Sequence, residues 1–180
     1  VTAHPLATTA AHTMLMQGGD AVDALVAAQT VLAVVEPQSS GLGGGGFLLH
    51  WNAQQRQLDV LDGREQAPGT SQPDDLLAPD GRPLPWREAS SQLRAIGIPG
   101  TVALLWDAHQ RWGRLPWTTR FQPAIDIARK GFRTTPRLLR SISLAERIGI
   151  RHSAGFGQLY RPGGTRPGLN QVFRNPSLGE

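Results

Sequence analysis

Glu36-Pro37-Gln38-Ser39-Ser40-Gly41-Leu42-Gly43-Gly44-Gly45-Gly46-Phe47 is the stretch on which the fold turns. Upstream, residues 21–35 hold twelve apolar residues of fifteen. A helix apolar on nearly every side must be deeply buried. Pro37 stops it, because the residue before a proline avoids helical angles. Downstream, Phe47-Leu48-Leu49-His50-Trp51 and Leu58-Asp59-Val60-Leu61-Asp62 flank a polar connection at 52–56. These runs predict the two strands of a hairpin. The glycine run therefore joins a buried helix to a strand. It formally satisfies G-x-G-x-x-G through Gly41, Gly43 and Gly46. A dinucleotide site needs the opposite order, a strand before the glycines and a helix after them. A phosphate-binding P-loop is excluded as well, since no Gly-Lys-Ser/Thr follows. Four adjacent glycines permit unusual backbone angles and close approach of another segment or a ligand. A tight turn packed under the core satisfies the same composition.

Working outward, residues 6–17 carry Leu6, Ala10, Ala11, Met14 and Leu15 at helical spacing, and Gly18-Gly19 supply a stop. Asp20 stands at the N-cap position of the next helix, with Asp23 in its first turn near the positive end of the helix dipole. Between 66 and 99, six prolines (Pro68, Pro73, Pro79, Pro83, Pro85, Pro99) preclude long helices. Helical periodicity returns over roughly 101–112, 118–130 and 136–149, and the last thirty residues read as loop. No internal repeat or low-complexity run is present.

The net charge of +4 divides unevenly, −6 over residues 1–90 and +10 over residues 91–180. The basic residues of the second half (Arg120, Arg129, Arg133, Arg137, Arg140, Arg147) stand singly between apolar positions, with no aromatic platform among them. They predict a solvated or internally paired surface rather than a nucleic-acid groove. The apolar stretch at 21–35 is too short to span a bilayer. Nor does it suit a signal peptide, since no Lys or Arg precedes Arg56. Val1 in place of an initiator Met raises the expectation of an upstream segment. The absence of cysteine excludes disulfides and thiolate zinc sites. The five histidines, His4, His12, His50, His109 and His152, show no metal-ligand spacing. No G-x-S-x-G elbow appears either. Composition and spacing supply no complete catalytic machine and imply no cofactor.

Three blocks carry a resemblance: Gln17-Gly18-Gly19-Asp20-Ala21-Val22-Asp23-Ala24, the glycine-rich block above, and Leu61-Asp62-Gly63-Arg64-Glu65-Gln66-Ala67-Pro68. Gly97-Ile98-Pro99-Gly100-Thr101-Val102, Gly113-Arg114-Leu115-Pro116 and the run from Pro123-Ala124-Ile125 to Gly131-Phe132 follow in the same order. In register, they resemble the opening of the large subunit of γ-glutamyltransferases, also called γ-glutamyltranspeptidases or glutathione hydrolases. Asp20 and Gly41 stand where many members have Asn. The first change is conservative at an N-cap.

The resemblance implies an α+β fold, the four-layer αββα sandwich of the N-terminal-nucleophile hydrolases, with residues 1–180 forming only its N-terminal portion. It implies a precursor that cleaves itself into two subunits. The new amino-terminal Thr of the small subunit would attack a γ-glutamyl amide, its own α-amino group taking the proton. That Thr would lie beyond Glu180, so no catalytic residue is expected in this chain. The expected partners are a γ-glutamyl donor such as glutathione and that small subunit, with no nucleic acid and no membrane span. Periplasmic or secreted location is expected by the same analogy, with a cytoplasmic one left open. Arg64 is the expected ligand of the donor α-carboxylate, since a planar guanidinium offers two parallel donors. Spacing alone leaves Arg64 a second role, pairing with Asp62 on the same side of an extended chain. Glu65 and Asp62 are read as supporting partners. Three alternatives remain open: a cephalosporin-acylase-like relative, a poly-γ-glutamate-processing relative, and a non-catalytic binding remnant.

Overall fold

The structure is a computed structural model that describes residues 1–148 and 154–180. The chain divides into two compact units, one of 1–41 with 108–180 and one of 42–107.

In the first unit, helix α1 (Pro5–Met16) packs on helix α2 (Ala21–Val35). Both begin on side-chain caps. His4 accepts the Leu6 N–H through Nδ1 at 3.2 Å. Burial lowers the His4 pKa although Glu36 pulls it up, and a neutral ring is what an accepting Nδ1 requires. Asp20 accepts the N–H groups of Val22 and Asp23, while Asp23 accepts that of Asp20 at 2.9 Å, closing a capping box. Val26, Val31 and Val35 of α2 are fully buried, each worth about 1.5–3 kcal/mol against exposure. At Glu36 the chain leaves α2 and makes a single helical turn, α3 (Pro37–Ser40).

The core of this unit joins α1 and α2 to Ala124, Ala128, Phe132, Leu138, Ile142 and Phe173. These come from α6 (Gln122–Lys130), α7 (Pro136–Arg147) and a two-stranded antiparallel pair, β3 (Phe132–Arg133) with β4 (Val172–Phe173). Helix α8 (Ala154–Tyr160) brings Tyr160 to stack on Phe173 at 5.5 Å. Two expectations change here. The stretch 118–130 is not one helix: a 3₁₀ segment at Trp117–Phe121 precedes α6. Pro123 accounts for the break, because its ring cannot accept an α-helix running through from four residues earlier. The last thirty residues are not all loop, since they contain α8 and β4. Residue 149, the expected end of α7, lies outside the described residues, as do 151–153 of the expected terminal loop.

Arg120, expected on a solvated or internally paired surface, is internally paired but has no solvent exposure at all, nor has Asp23. The Asp23 carboxylate takes the Arg120 Nε–H at 2.6 Å and also bonds Arg120 Nη2. It accepts the N–H groups of Arg114 (3.1 Å) and Leu115 (3.3 Å) as well. Burial pushes its pKa up, but the N–H of Asp20, the Arg120 guanidinium and the N–H of Arg114 together hold it below the ordinary 3.8. Nearby in sequence to α2, buried Glu36 pairs with Arg137 at 2.6 Å.

The second unit is built on a hairpin, β1 (Gly46–Asn52) and β2 (Gln57–Gly63), paired antiparallel from Gly46↔Gly63 to Asn52↔Gln57. Leu48 and Leu61, cross-strand partners, are buried on one face. After β2 come turns, the short helix α4 (Trp86–Ala89) and a 3₁₀ turn at Leu93–Ala95, as six prolines dictate. Helix α5 (Thr101–Trp112) begins in this unit and carries the chain into the other.

Candidate functional site

Arg64 is the first residue beyond β2, so a regular ladder delivers it to a fixed place. Three elements hold its backbone. Asp62 Oδ1 accepts the Arg64 N–H at 2.9 Å, a side chain bonding the backbone two residues on. One step further, Gln66 and Ile98 form an isolated antiparallel bridge, with the Ile98 N–H donating to Gln66 O at 2.8 Å. Finally, Gly44 O accepts the N–H groups of Gly100 and Thr101, each at 3.0 Å, which fastens the glycine run to the start of α5.

Between these anchors the backbone is crowded. A Cβ on Gly45 would meet Gly63 O, with Glu65 N at 2.8 Å and Arg64 Cα at 2.9 Å. A Cβ on Gly100 would meet Gly63 O, with Gly63 C at 2.7 Å and Arg64 O at 3.0 Å. Only hydrogen fits at these two positions. None of Gly41, Gly43, Gly44, Gly45 and Gly46 has a positive φ, so close approach explains Gly45 and left-handed geometry does not.

The Arg64 side chain projects from this clamp with 58% of its area exposed. Its Nε lies 3.5 Å from Glu65 Oε2. That is an ion-pair separation and too long for a good hydrogen bond. The Glu65 oxygen is buried and takes no hydrogen bond. Asp62 is exposed and spends its carboxylate on the Arg64 backbone, so it does not pair with the guanidinium. No other carboxylate among the described residues is within ion-pairing distance of Arg64. The structure thus brings Asp62, Arg64 and Glu65 together and leaves the fork of the guanidinium open. Such a group can grip a carboxylate by two parallel hydrogen bonds.

The family resemblance of the block around Asp62, Arg64 and Glu65 pointed to these residues; the wedge of Gly45 and Gly100 it did not specify. Its signal was present, since Gly97-Ile98-Pro99-Gly100 stands out in the turn-rich region. Cavities of about 700 Å³ (including Leu159, Arg166 and Phe173) and about 420 Å³ (including Leu138, Ile142 and Tyr160) belong to the first unit, and Arg64 lines neither. Among the described residues no group of three or more His, Cys, Asp or Glu could hold a metal ion. No described helix is long and apolar enough to cross a membrane.

Known proteins give this arrangement its context. Residues 7–180 match the family model described as Gamma-glutamyltranspeptidase. The chain is 39% identical over 142 residues to the glutathione hydrolase proenzyme of Bacillus subtilis, covering 79% of this chain and 24% of that protein. It superposes on the gamma-glutamyltranspeptidase of Helicobacter pylori with a TM-score of 0.91 and 28% identity, covering 99% of this chain and 51% of the other. With the gamma-glutamyltranspeptidase of Pseudomonas nitroreducens the TM-score is 0.87 at 32% identity, again covering 99% and 51%. The fold is therefore that of the corresponding part of these N-terminal-nucleophile hydrolases, and the chain spans about a quarter of the length of the curated relative it matches. Within that part the described residues contribute mixed helices and two two-stranded sheets, a portion of the expected sandwich. With the family model matched from residue 7 to residue 180, the chain belongs to the gamma-glutamyltranspeptidase family.

Proposed function

We propose that the protein carrying this chain hydrolyses γ-glutamyl compounds of the glutathione type or transfers their γ-glutamyl group to amino acids or peptides, and that Arg64 holds the α-carboxylate of the donor. The observation that carries this reading is the clamped backbone of Arg64 beneath an exposed guanidinium. Rigid support with a free fork suits an orienting ligand. The nucleophile, a Thr, and the groups that stabilise the oxyanion belong to a segment outside residues 1–180, derived from the same precursor. The contribution of this chain is orientation: a carboxylate held at Arg64 fixes where the γ-carbonyl reaches that nucleophile.

Glu65 has a supporting part in this scheme. A carboxylate 3.5 Å from Nε turns the guanidinium so that its two Nη groups remain for the donor. The test is Arg64→Lys in the full-length protein, assayed with a chromogenic γ-glutamyl anilide. Lysine keeps the charge and loses the fork. Hydrogen bonds to charged groups are worth about 1.5–3 kcal/mol, so the donor KM should rise about ten- to a hundredfold with Tm little changed. Unchanged donor kinetics would make Arg64 an ordinary surface residue. An enzyme indifferent to γ-glutamyl anilides but active on a cephalosporin side chain would favour the acylase-like alternative.

A further inference from the structure

We infer that Asp62 is the positioning residue for Arg64, acting through the backbone rather than through the guanidinium; this rests on the reading of Arg64 as the donor-carboxylate ligand. The Arg64 side chain is mostly exposed, so packing does not lock its rotamer. Its direction must come from the orientation of its Cα–Cβ bond, which the local backbone fixes. The β1–β2 ladder ends at Gly46↔Gly63, one residue before Arg64, so no further ladder bond constrains it. Gly45 and Gly100 crowd the strap at Gly63, Arg64 and Glu65, and they limit where it can go without bonding it. Among the described residues, the side-chain hydrogen bond that reaches this backbone is that of Asp62 Oδ1 to the Arg64 N–H, at 2.9 Å. Without it the N–H would turn to water, and the peptide joining Gly63 to Arg64 would be free to rotate within the space left by the glycines.

Charge points the same way. An aspartate two residues before an arginine in an extended chain could neutralise it and occupy its fork. Here the carboxylate is engaged by the main chain, and the nearest carboxylate to the guanidinium is Glu65, on its Nε side. What Asp62 supplies is therefore a short-reach acceptor atom. Its negative charge is incidental and, toward an incoming carboxylate, unfavourable.

The experiment compares Asp62→Ala, Asp62→Asn, Asp62→Glu and Arg64→Ala in the full-length protein, reading donor KM, acceptor KM, kcat and Tm. Asparagine keeps an acceptor oxygen at the same reach; glutamate keeps the charge and moves the acceptor by one methylene. Donor KM should rise about three- to tenfold in Asp62→Ala, the size expected from one hydrogen bond. It should rise similarly in Asp62→Glu and return close to wild type in Asp62→Asn. Acceptor KM should hold within about twofold, because orientation of the donor is the only property removed, and any fall in kcat should follow the same order among the variants as the rise in donor KM. Adding Asp62→Ala to Arg64→Ala should cause no further rise, since both act through one contact. If Asp62→Ala fails to fold, the Asn and Glu variants carry the comparison. A wild-type donor KM in Asp62→Glu together with a raised one in Asp62→Asn would overturn the inference, because charge would then be the active property. Unaltered Asp62 variants beside an impaired Arg64→Ala would overturn the positioning role alone. A wild-type donor KM in Arg64→Ala would remove the reading beneath it.

Discussion

Asp23 satisfies four donors from inside the protein: the N–H groups of Asp20, Arg114 and Leu115, and the Arg120 guanidinium. Two fully buried charges are costly to desolvate, and their attraction repays that cost only through dense hydrogen bonding, which the Asp23 carboxylate has while Arg120 Nη1 stays buried without a hydrogen-bond partner. Removing one partner is therefore far worse than never having had the pair. Asp23→Asn should cost about 3–5 kcal/mol at neutral pH, because it strands the Arg120 charge. Its pH dependence follows from the lowered pKa. A carboxyl held below 3.8 when folded contributes stability that is fully present above that value and is lost as pH falls through the folded value. The Tm difference between wild type and Asp23→Asn should accordingly be constant from pH 7 to about 5 and narrow below pH 4. A gap that stays constant down to pH 2 would show that the charge of Asp23 contributes nothing to folding. This pair was not legible in the sequence. Its members are separated by 97 residues, and Arg120 stands between polar and aromatic neighbours like any exposed arginine.

At the scale of elements, legibility followed local chemistry. The limits of α2 were readable because Asp20 caps one end and Pro37 terminates the other. The hairpin was readable because each strand is several residues long and bounded by turn residues. β3 and β4 were not, since two residues carry no periodicity and their partners lie about forty residues apart. α8 was hidden by its glycines, Gly155 and Gly157, which are poor helix formers that tertiary contacts such as Tyr160 on Phe173 overrule. The glycine run was readable as a place of close approach, but which glycine is approached needed coordinates. A Cβ would collide with backbone at Gly45 and meet nothing within 4 Å at Gly43 or Gly46. Gly45→Ala should therefore destabilise by about 1–3 kcal/mol, as overpacking does, and raise the donor KM by displacing Arg64. Gly43→Ala should leave both close to wild type. Equal tolerance at the two positions in Tm and donor KM would mean that the Arg64 strap can yield without consequence.

At the scale of the whole molecule, the hairpin's two faces are unequal in a way that this chain does not resolve. Phe47, Leu49 and Trp51 of β1 and Leu58 and Val60 of β2 share one face and are each more than half exposed. The cross-strand pairs Leu49↔Val60 and Trp51↔Leu58 put these side chains side by side, so the exposure is a continuous apolar surface. The buried face is the less apolar one, holding His50 and Asp59 beside Leu48 and Leu61. A two-stranded hairpin is marginal by itself, and a bare edge beside apolar side chains invites association. The chain covers about half of the solved gamma-glutamyltranspeptidase chains it superposes on. On the proposed function, the segment bearing the nucleophile is the expected cover for this apolar face, with Arg64 standing at the end of β2. Hydrogen exchange tests this directly. In the full-length protein the amides of 47–51 and 58–62 should exchange slowly, and in residues 1–180 expressed alone they should exchange quickly while those of α2 stay protected. The isolated chain should also be associated or poorly soluble. Slow exchange of both strands in an isolated, monomeric, cooperatively melting chain would show that the apolar face needs no cover and that the nucleophile-bearing segment docks elsewhere.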